Sequence, residues 1–144
     1  MTATGLHHLN VRCTKDKLEA TRAFYERYLG LKVGPRPPFR DHGYWMYHQD
    51  HPWVHISIAD KASKGVSNRD AGFGHIAFYG TDYRGLMKML ESDAIKYDER
   101  PSPDDRLMQV FFPDPNGVMV EMVYPIADAQ AAAKKTGKKV PARA

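Results

Sequence analysis

Apolar and polar residues alternate along eight short stretches of this chain, and two longer stretches carry helical spacing instead. Strands are predicted at residues 6–11, 31–33, 44–48 and 53–59, and again at 74–78, 95–97, 107–112 and 118–124. A helix is predicted over 16–29, with Leu18, Phe24, Tyr25, Tyr28 and Leu29 as its apolar positions. Asp16 and Glu19 read as a capping box and Gly30 as the stop. A second helix is predicted over 83–92, with Leu86, Met87 and Leu90 on one side and Thr81 or Asp82 as its cap; Gly85 sits inside it. Asp114-Pro115-Asn116-Gly117 fits a tight turn between the last two strands.

The order is strand, helix, strand, strand, strand, twice over. This predicts an α+β fold of two βαβββ modules, at about residues 5–60 and 73–125, forming one domain over 1–125 with a curved mixed-sheet cleft. The join falls within residues 61–72, rich in Gly, Ser, Asn and charge. Residues 126–144 are expected to be a solvated basic tail.

Strand parity separates chemistry from core. Leu9, Val11 and Cys13 share one face, and His8, Asn10 and Arg12 the other. Val54, Ile56 and Ile58 oppose Trp53, His55 and Ser57; Ile76 and Phe78 oppose His75, Ala77 and Tyr79; Val120 and Met122 oppose Met119, Glu121 and Val123. Each time, one ligand-type residue stands on the less apolar face. The matches recur in the repeat: His55 follows His8 by 47 residues, and Glu121 follows His75 by 46. A carboxylate in an apolar strand needs a partner, because burying it unpaired is costly. If these faces converge, His8, His55, His75 and Glu121 form a site for a divalent ion. Three imidazoles and a carboxylate suit Zn, Ni, Fe(II), Mn or Co rather than calcium. His7, His42, His48 and His51 have no matched positions and are expected to be exposed or to support the site from outside.

Composition narrows the class. At 144 residues, with 42% hydrophobic and 26% charged, the chain fits one soluble globular domain. No apolar run reaches the roughly 20 residues that cross a bilayer, and the first residues lack a signal-peptide pattern. With its single cysteine, Cys13, the chain is expected to be cytoplasmic. The formal charge of +4 resides in the tail, where Lys134, Lys135, Lys138, Lys139 and Arg143 face only Asp128; residues 1–125 sum to zero. A nucleic-acid surface and a membrane partner are therefore not expected.

Four stretches resemble the vicinal oxygen chelate superfamily, which includes glyoxalase I, methylmalonyl-CoA epimerase, fosfomycin-resistance and bleomycin-binding proteins and extradiol dioxygenases. They are residues 8–12 (HLNVR), 24–31 (FYERYLGL), 74–78 (GHIAF) and 114–121 (DPNGVMVE). The resemblance implies metal positions at His8, His75 and Glu121. It places His55 where glyoxalase I has Glu and the epimerase Gln. It also implies a homodimer and a small-molecule substrate that binds the ion through two oxygens.

Three kinds of chemistry stay open. Lyase or isomerase chemistry of the glyoxalase kind would use Glu121 as base; His55 is a further catalytic candidate, as an acid/base beside the ion in the dioxygenase reading. A non-haem iron(II) ring-cleaving dioxygenase would use His8, His75 and Glu121 as ligands, but Phe111 and Ser102 stand where classical extradiol enzymes place Tyr and His. A resistance or non-enzymatic small-molecule binding protein is the third. Arg12, Tyr44, Trp53, Tyr79 and Phe111 are candidate substrate contacts, Arg12 as a fork for an anionic group. A small aromatic or carboxylated substrate would suit such a lining. The loop at residues 35–39 is expected over the mouth of the cleft.

Overall fold

The computed structural model describes residues 6–39, 42–58 and 75–137. The chain divides into two compact units, Met1–Asp70 and Ala71–Ala144. The expected join at 61–72 lies outside the described residues.

The first unit holds β1 (Leu9–Cys13), a 3-10 turn at Lys15–Lys17, α1 (Leu18–Leu29), β2 (Lys32–Gly34), β3 (Gly43–His48) and β4 (His51–Ile58). The second holds β5 (Ile76–Tyr79), α2 (Tyr83–Ser92), β6 (Asp98–Pro101), β7 (Leu107–Pro113), β8 (Met119–Pro125) and α3 (Ile126–Thr136). The sheet orders are β1-β4-β3-β2 and β5-β8-β7-β6. In each, the first strand runs parallel to the last and the other pairs are antiparallel. The predicted βαβββ repeat is therefore present in both units.

Leu9 is level with Val54, and Ile76 is level with Val120. His8 and His75 each directly precede the first strand of their sheet, instead of lying within it as predicted, and His55 and Glu121 each follow the paired Val by one residue. The sequence match is thus also a match in register.

Parity sets the cores. In the first unit Val11, Cys13, Val54 and Ile56 are buried, together with Leu18, Thr21, Phe24 and Tyr25 of α1, which packs against β3 and β4. In the second, Met108, Val110 and Phe112 alternate on β7 and are wholly buried, as are Val120 of β8 and Leu90 of α2.

Four local expectations change. The Asp16–Glu19 capping box does not form. The chain enters α1 through the 3-10 turn with no side-chain cap, and the Glu19 carboxylate accepts instead from Arg22 and from the Tyr44 hydroxyl. The strand expected at 95–97 begins at Asp98. The chain first closes α2: Ala94 adopts φ 53° and the Ile95 N–H donates to the Leu90 carbonyl at 2.9 Å, a helix end of the kind glycine usually marks. The strand expected at 31–33 is β2, displaced by one residue. The expected tail is helical over Ile126–Thr136. Its alanines favour helix, Ala129 is buried, and α3 packs on α2, β7 and β8; residues 138–144 lie outside the described residues.

Gly30 closes α1 at φ 65° as predicted. Asp114 holds the predicted turn, its Oδ1 accepting from the Asn116 and Val118 N–H groups at 2.8 Å each. Asp82 caps α2 by accepting from the Gly85 N–H at 3.0 Å. A Cβ at position 85 would lie 2.1 Å from Asp82 Oδ2, which accounts for a glycine inside the helix. Asp82→Ala loses this cap and retains a positive φ of 57°. It is expected to lower the unfolding free energy by about 1–2 kcal/mol in urea titrations.

Candidate functional site

In the second unit, β8 carries Glu121 on the sheet face that also bears Ala77, Phe111 and Asp98, which are level with one another across β5, β7 and β6. The Glu121 side chain is 4% exposed and that of His75 is 48% exposed. Two partners hold the carboxylate: Gln109 Nε2 donates to Oε1 at 2.6 Å, and His75 Nε2 lies 2.8 Å from Oε2. These contacts offset the cost of burying the charge. Phe111 stands edge-on to the His75 ring, centroids 5.6 Å apart. The Arg100 guanidinium lies 4.6 Å above the Phe111 ring and pairs with Asp98 at 3.1 Å. Tyr79 shares this face by parity but is 87% exposed.

In the first unit, His55 is the centre of a stack. Its ring lies parallel to Trp45, centroids 4.1 Å apart and planes 5° apart, and to His8, 3.9 Å apart and 17°. Its Nε2 is buried without a hydrogen-bond partner. Burial, then the nearby charges of His8, His7, Arg36 and His51, lower its pKa to about 4. His7 and His51 surround the exposed His8: His7 Nδ1 is 2.8 Å from His8 Nδ1, and His51 Nε2 is 2.5 Å from the His7 carbonyl oxygen.

A groove of about 370 Å³ opens on the same sheet face. Asn10, Arg12, Trp45, His55 and Ser57 line it from the strands, with Arg36 and Phe39 from the loop after β2. Of the expected contacts in this unit, Arg12 reaches the groove. Tyr44 does not. It is level with Ile56, on the opposite face from Trp45, and its hydroxyl donates to Glu19 Oε1. Trp53 also does not line it and packs on His48, centroids 4.5 Å apart. His42 is exposed.

The two pairs of expected ligands differ in their fit to an ion. His75 Nε2 and Glu121 Oε2 are separated by nearly the about 3 Å between adjacent donors on an octahedral ion with bonds of about 2.1 Å. The stacked His8 and His55 rings have no common in-plane point within bonding distance, so binding one ion together requires His8 to leave the stack. Among the described residues, no group of three or more His, Cys, Asp or Glu stands close enough to hold an ion.

Gln109, Arg100, Asn10 and Arg36 were missed in the sequence. Parity offered a signal for two of them: Asn10 shares the face of His8 and Arg12, and Gln109 lies two residues before Phe111 and so shares its face. The others depend on which strands become neighbours.

His55 yields a test on metal-free protein. Its folded pKa is below the usual 6.5, so the unfolded chain binds its proton first as pH falls. The stability linked to this ring is present above about pH 6.5 and is lost as pH falls toward 4. NMR titration is expected to show the His55 ring neutral at pH 5.5; a midpoint near 6.5 would contradict the buried stack.

No curated protein matches the chain, but solved structures do. A glyoxalase family protein from Bacillus anthracis superposes with TM-score 0.68 at 21% identity, covering 87% of this chain and 98% of that one. A glyoxylase/bleomycin resistance protein/dioxygenase domain from Frankia sp. EAN1pec gives 0.69 at 15%, covering 86% and 93%. The fosfomycin resistance protein FosX from Listeria monocytogenes gives 0.65 at 16%, covering 84% and 92%. At these identities the likeness is one of fold. Residues 5–122 match the family profile itself, and the chain belongs to the Glyoxalase/Bleomycin resistance protein/Dioxygenase superfamily.

Proposed function

We propose that this protein is a metal-dependent enzyme that binds a small oxygen-bearing substrate through two oxygens on a divalent ion and carries out lyase- or isomerase-type chemistry. The observation that carries this reading is the buried Glu121 carboxylate, held at one oxygen by Gln109 and facing His75 Nε2 at the other. His75 and Glu121 would hold the ion, with its remaining positions open to further ligands and to substrate. A divalent ion held there would supply Lewis acidity toward the substrate's oxygens. The FosX structure contains Mn(II) with 1S,2S-dihydroxypropylphosphonic acid, an example of this fold with an ion and an oxygen-rich ligand.

The chain's own residues divide the work. Gln109 fixes the orientation of Glu121. Phe111 supplies apolar cover beside His75. Glu121 is the proposed base for a proton next to a carbonyl; its contacts to Gln109 and His75 engage each oxygen once and leave further lone pairs to accept that proton. His55, neutral near pH 7 and unpaired at Nε2, is the second proposed proton acceptor. Phe111, level with Glu121, has no hydroxyl with which to act as an acid in ring cleavage.

Metal analysis of the purified protein is expected to show about one divalent ion per chain, and His75→Ala combined with Glu121→Ala to remove it. Full occupancy in that double variant would reject the site. His8→Ala and His55→Ala, measured the same way, test the other two expected ligands. Deuterium uptake at a carbon next to a carbonyl supports the isomerase branch; oxygen uptake with catechols under iron(II) would replace it with the dioxygenase. The proposal includes a cytoplasmic homodimer, checked by sedimentation for the assembly. No helix among the described residues is long and apolar enough to cross a membrane.

A further inference from the structure

Among the described residues, the lining of the first unit's groove carries two guanidinium groups and aromatic rings and no acid. Arg12 is exposed at its rim on β1. Among the described residues no carboxylate pairs with Arg12, unlike Arg22, Arg100 and Arg106, which do have acidic partners. A guanidinium left without a carboxylate beside an open groove is a fork for a planar anion. Arg36 adds a second positive charge and reaches over Phe39 at 4.8 Å.

The polar floor is also oriented. Ser57 Oγ donates to Asn10 Oδ1 at 2.9 Å. With that oxygen engaged, the Asn10 amide nitrogen is left to donate. The wall is aromatic: Phe39 and Trp45 have ring centroids 6.2 Å apart, and Trp45 is pinned from its other neighbour by the His55 stack. Buried His55 Nε2 is the unsatisfied polar atom of this lining, and an unpaired buried group in a pocket marks a place for a ligand atom. A volume of about 370 Å³ is at the small end of the roughly 300–1,000 Å³ of ligand pockets, enough for one ring and its substituents.

We infer that the groove between β1, β3, β4 and the Pro35–Phe39 loop is a binding subsite for a small aromatic carboxylate. Its carboxylate pairs with the Arg12 fork and the Asn10 amide, and its ring lies along Trp45 and Phe39. As an assignment of substrate class this rests on the function proposed above; as a binding site it stands on the first unit alone.

The test is calorimetric titration of the full chain, treated with EDTA, with benzoate and with the uncharged isostere benzamide. Benzoate is expected to bind with 1:1 stoichiometry and at least about tenfold more tightly than benzamide, and to weaken as salt is raised. Arg12→Gln, at an exposed position, should remove that preference while the circular dichroism spectrum is unchanged, and Arg12→Lys should restore part of it. Trp45→Ala should weaken both ligands alike. Equal binding of benzoate and benzamide, or an unchanged preference in Arg12→Gln, overturns the inference, as does binding at many weak sites. Ion occupancy is measured separately on protein without benzoate, so loss of the ion site and loss of the carboxylate subsite are distinct results.

Discussion

Glu121→Gln is expected to abolish the proposed divalent-ion binding and the activity that depends on it while leaving the protein folded. The substitution keeps the size of the side chain and removes its charge. Position 121 is buried, with Gln109 Nε2 at 2.6 Å from one oxygen and His75 Nε2 at 2.8 Å from the other. An amide at this position offers at most one acceptor to two neighbours and no charge to an ion. The loss in ion affinity should exceed the roughly 10–100-fold that removal of an outer partner costs. Gln109→Ala should fall within that smaller range, because it frees the carboxylate to turn without neutralising it. Equilibrium dialysis of both variants against zinc and manganese checks the order. If Glu121→Gln binds as tightly as the parent, Glu121 is not a ligand and its burial serves the fold.

Phe112→Ala should have the largest effect on stability, about 3–5 kcal/mol from the emptied volume. That is a large part of the roughly 5–15 kcal/mol that keeps an ordinary domain folded. Phe112 is wholly buried and level with Val120, also wholly buried. Its neighbour makes the contrast. Phe111 points to the opposite face, beside His75 and under Arg100. Phe111→Ala should therefore cost much less in chemical denaturation yet alter ion or substrate binding. Equal destabilisation by the two would mean that the alternation along β7 does not divide core from site.

That pair also shows how much the pattern of residues makes legible. Periodicity placed Phe112 in the core, because a strand must turn alternate side chains to one side. The same rule set His75 and Glu121 apart from their apolar neighbours, and matching of the two halves placed all four expected ligands at equivalent register positions. The tail was misread for an opposite reason. Its alanines carry too little hydrophobic contrast to announce a buried face, and only packing against α2, β7 and β8 makes Ile126–Thr136 an element of the unit. Tyr44, expected at the substrate, stands on the face opposite Trp45 because adjacent strand residues alternate, and it bonds Glu19 instead.

The sequence by itself determined the repeat, the faces of the strands, the turn at Asp114 and the identity of the acid and imidazole groups, since each depends on spacing along one segment. Tertiary structure decided which groups became partners. It gave Glu121 the amide of Gln109 from a neighbouring strand, stacked His55 between Trp45 and His8, tied Tyr44 to α1 and left Arg12 without an acidic partner among the described residues. Those outcomes depend on the lateral order and register of strands distant in sequence, which side-chain alternation within a single strand does not encode.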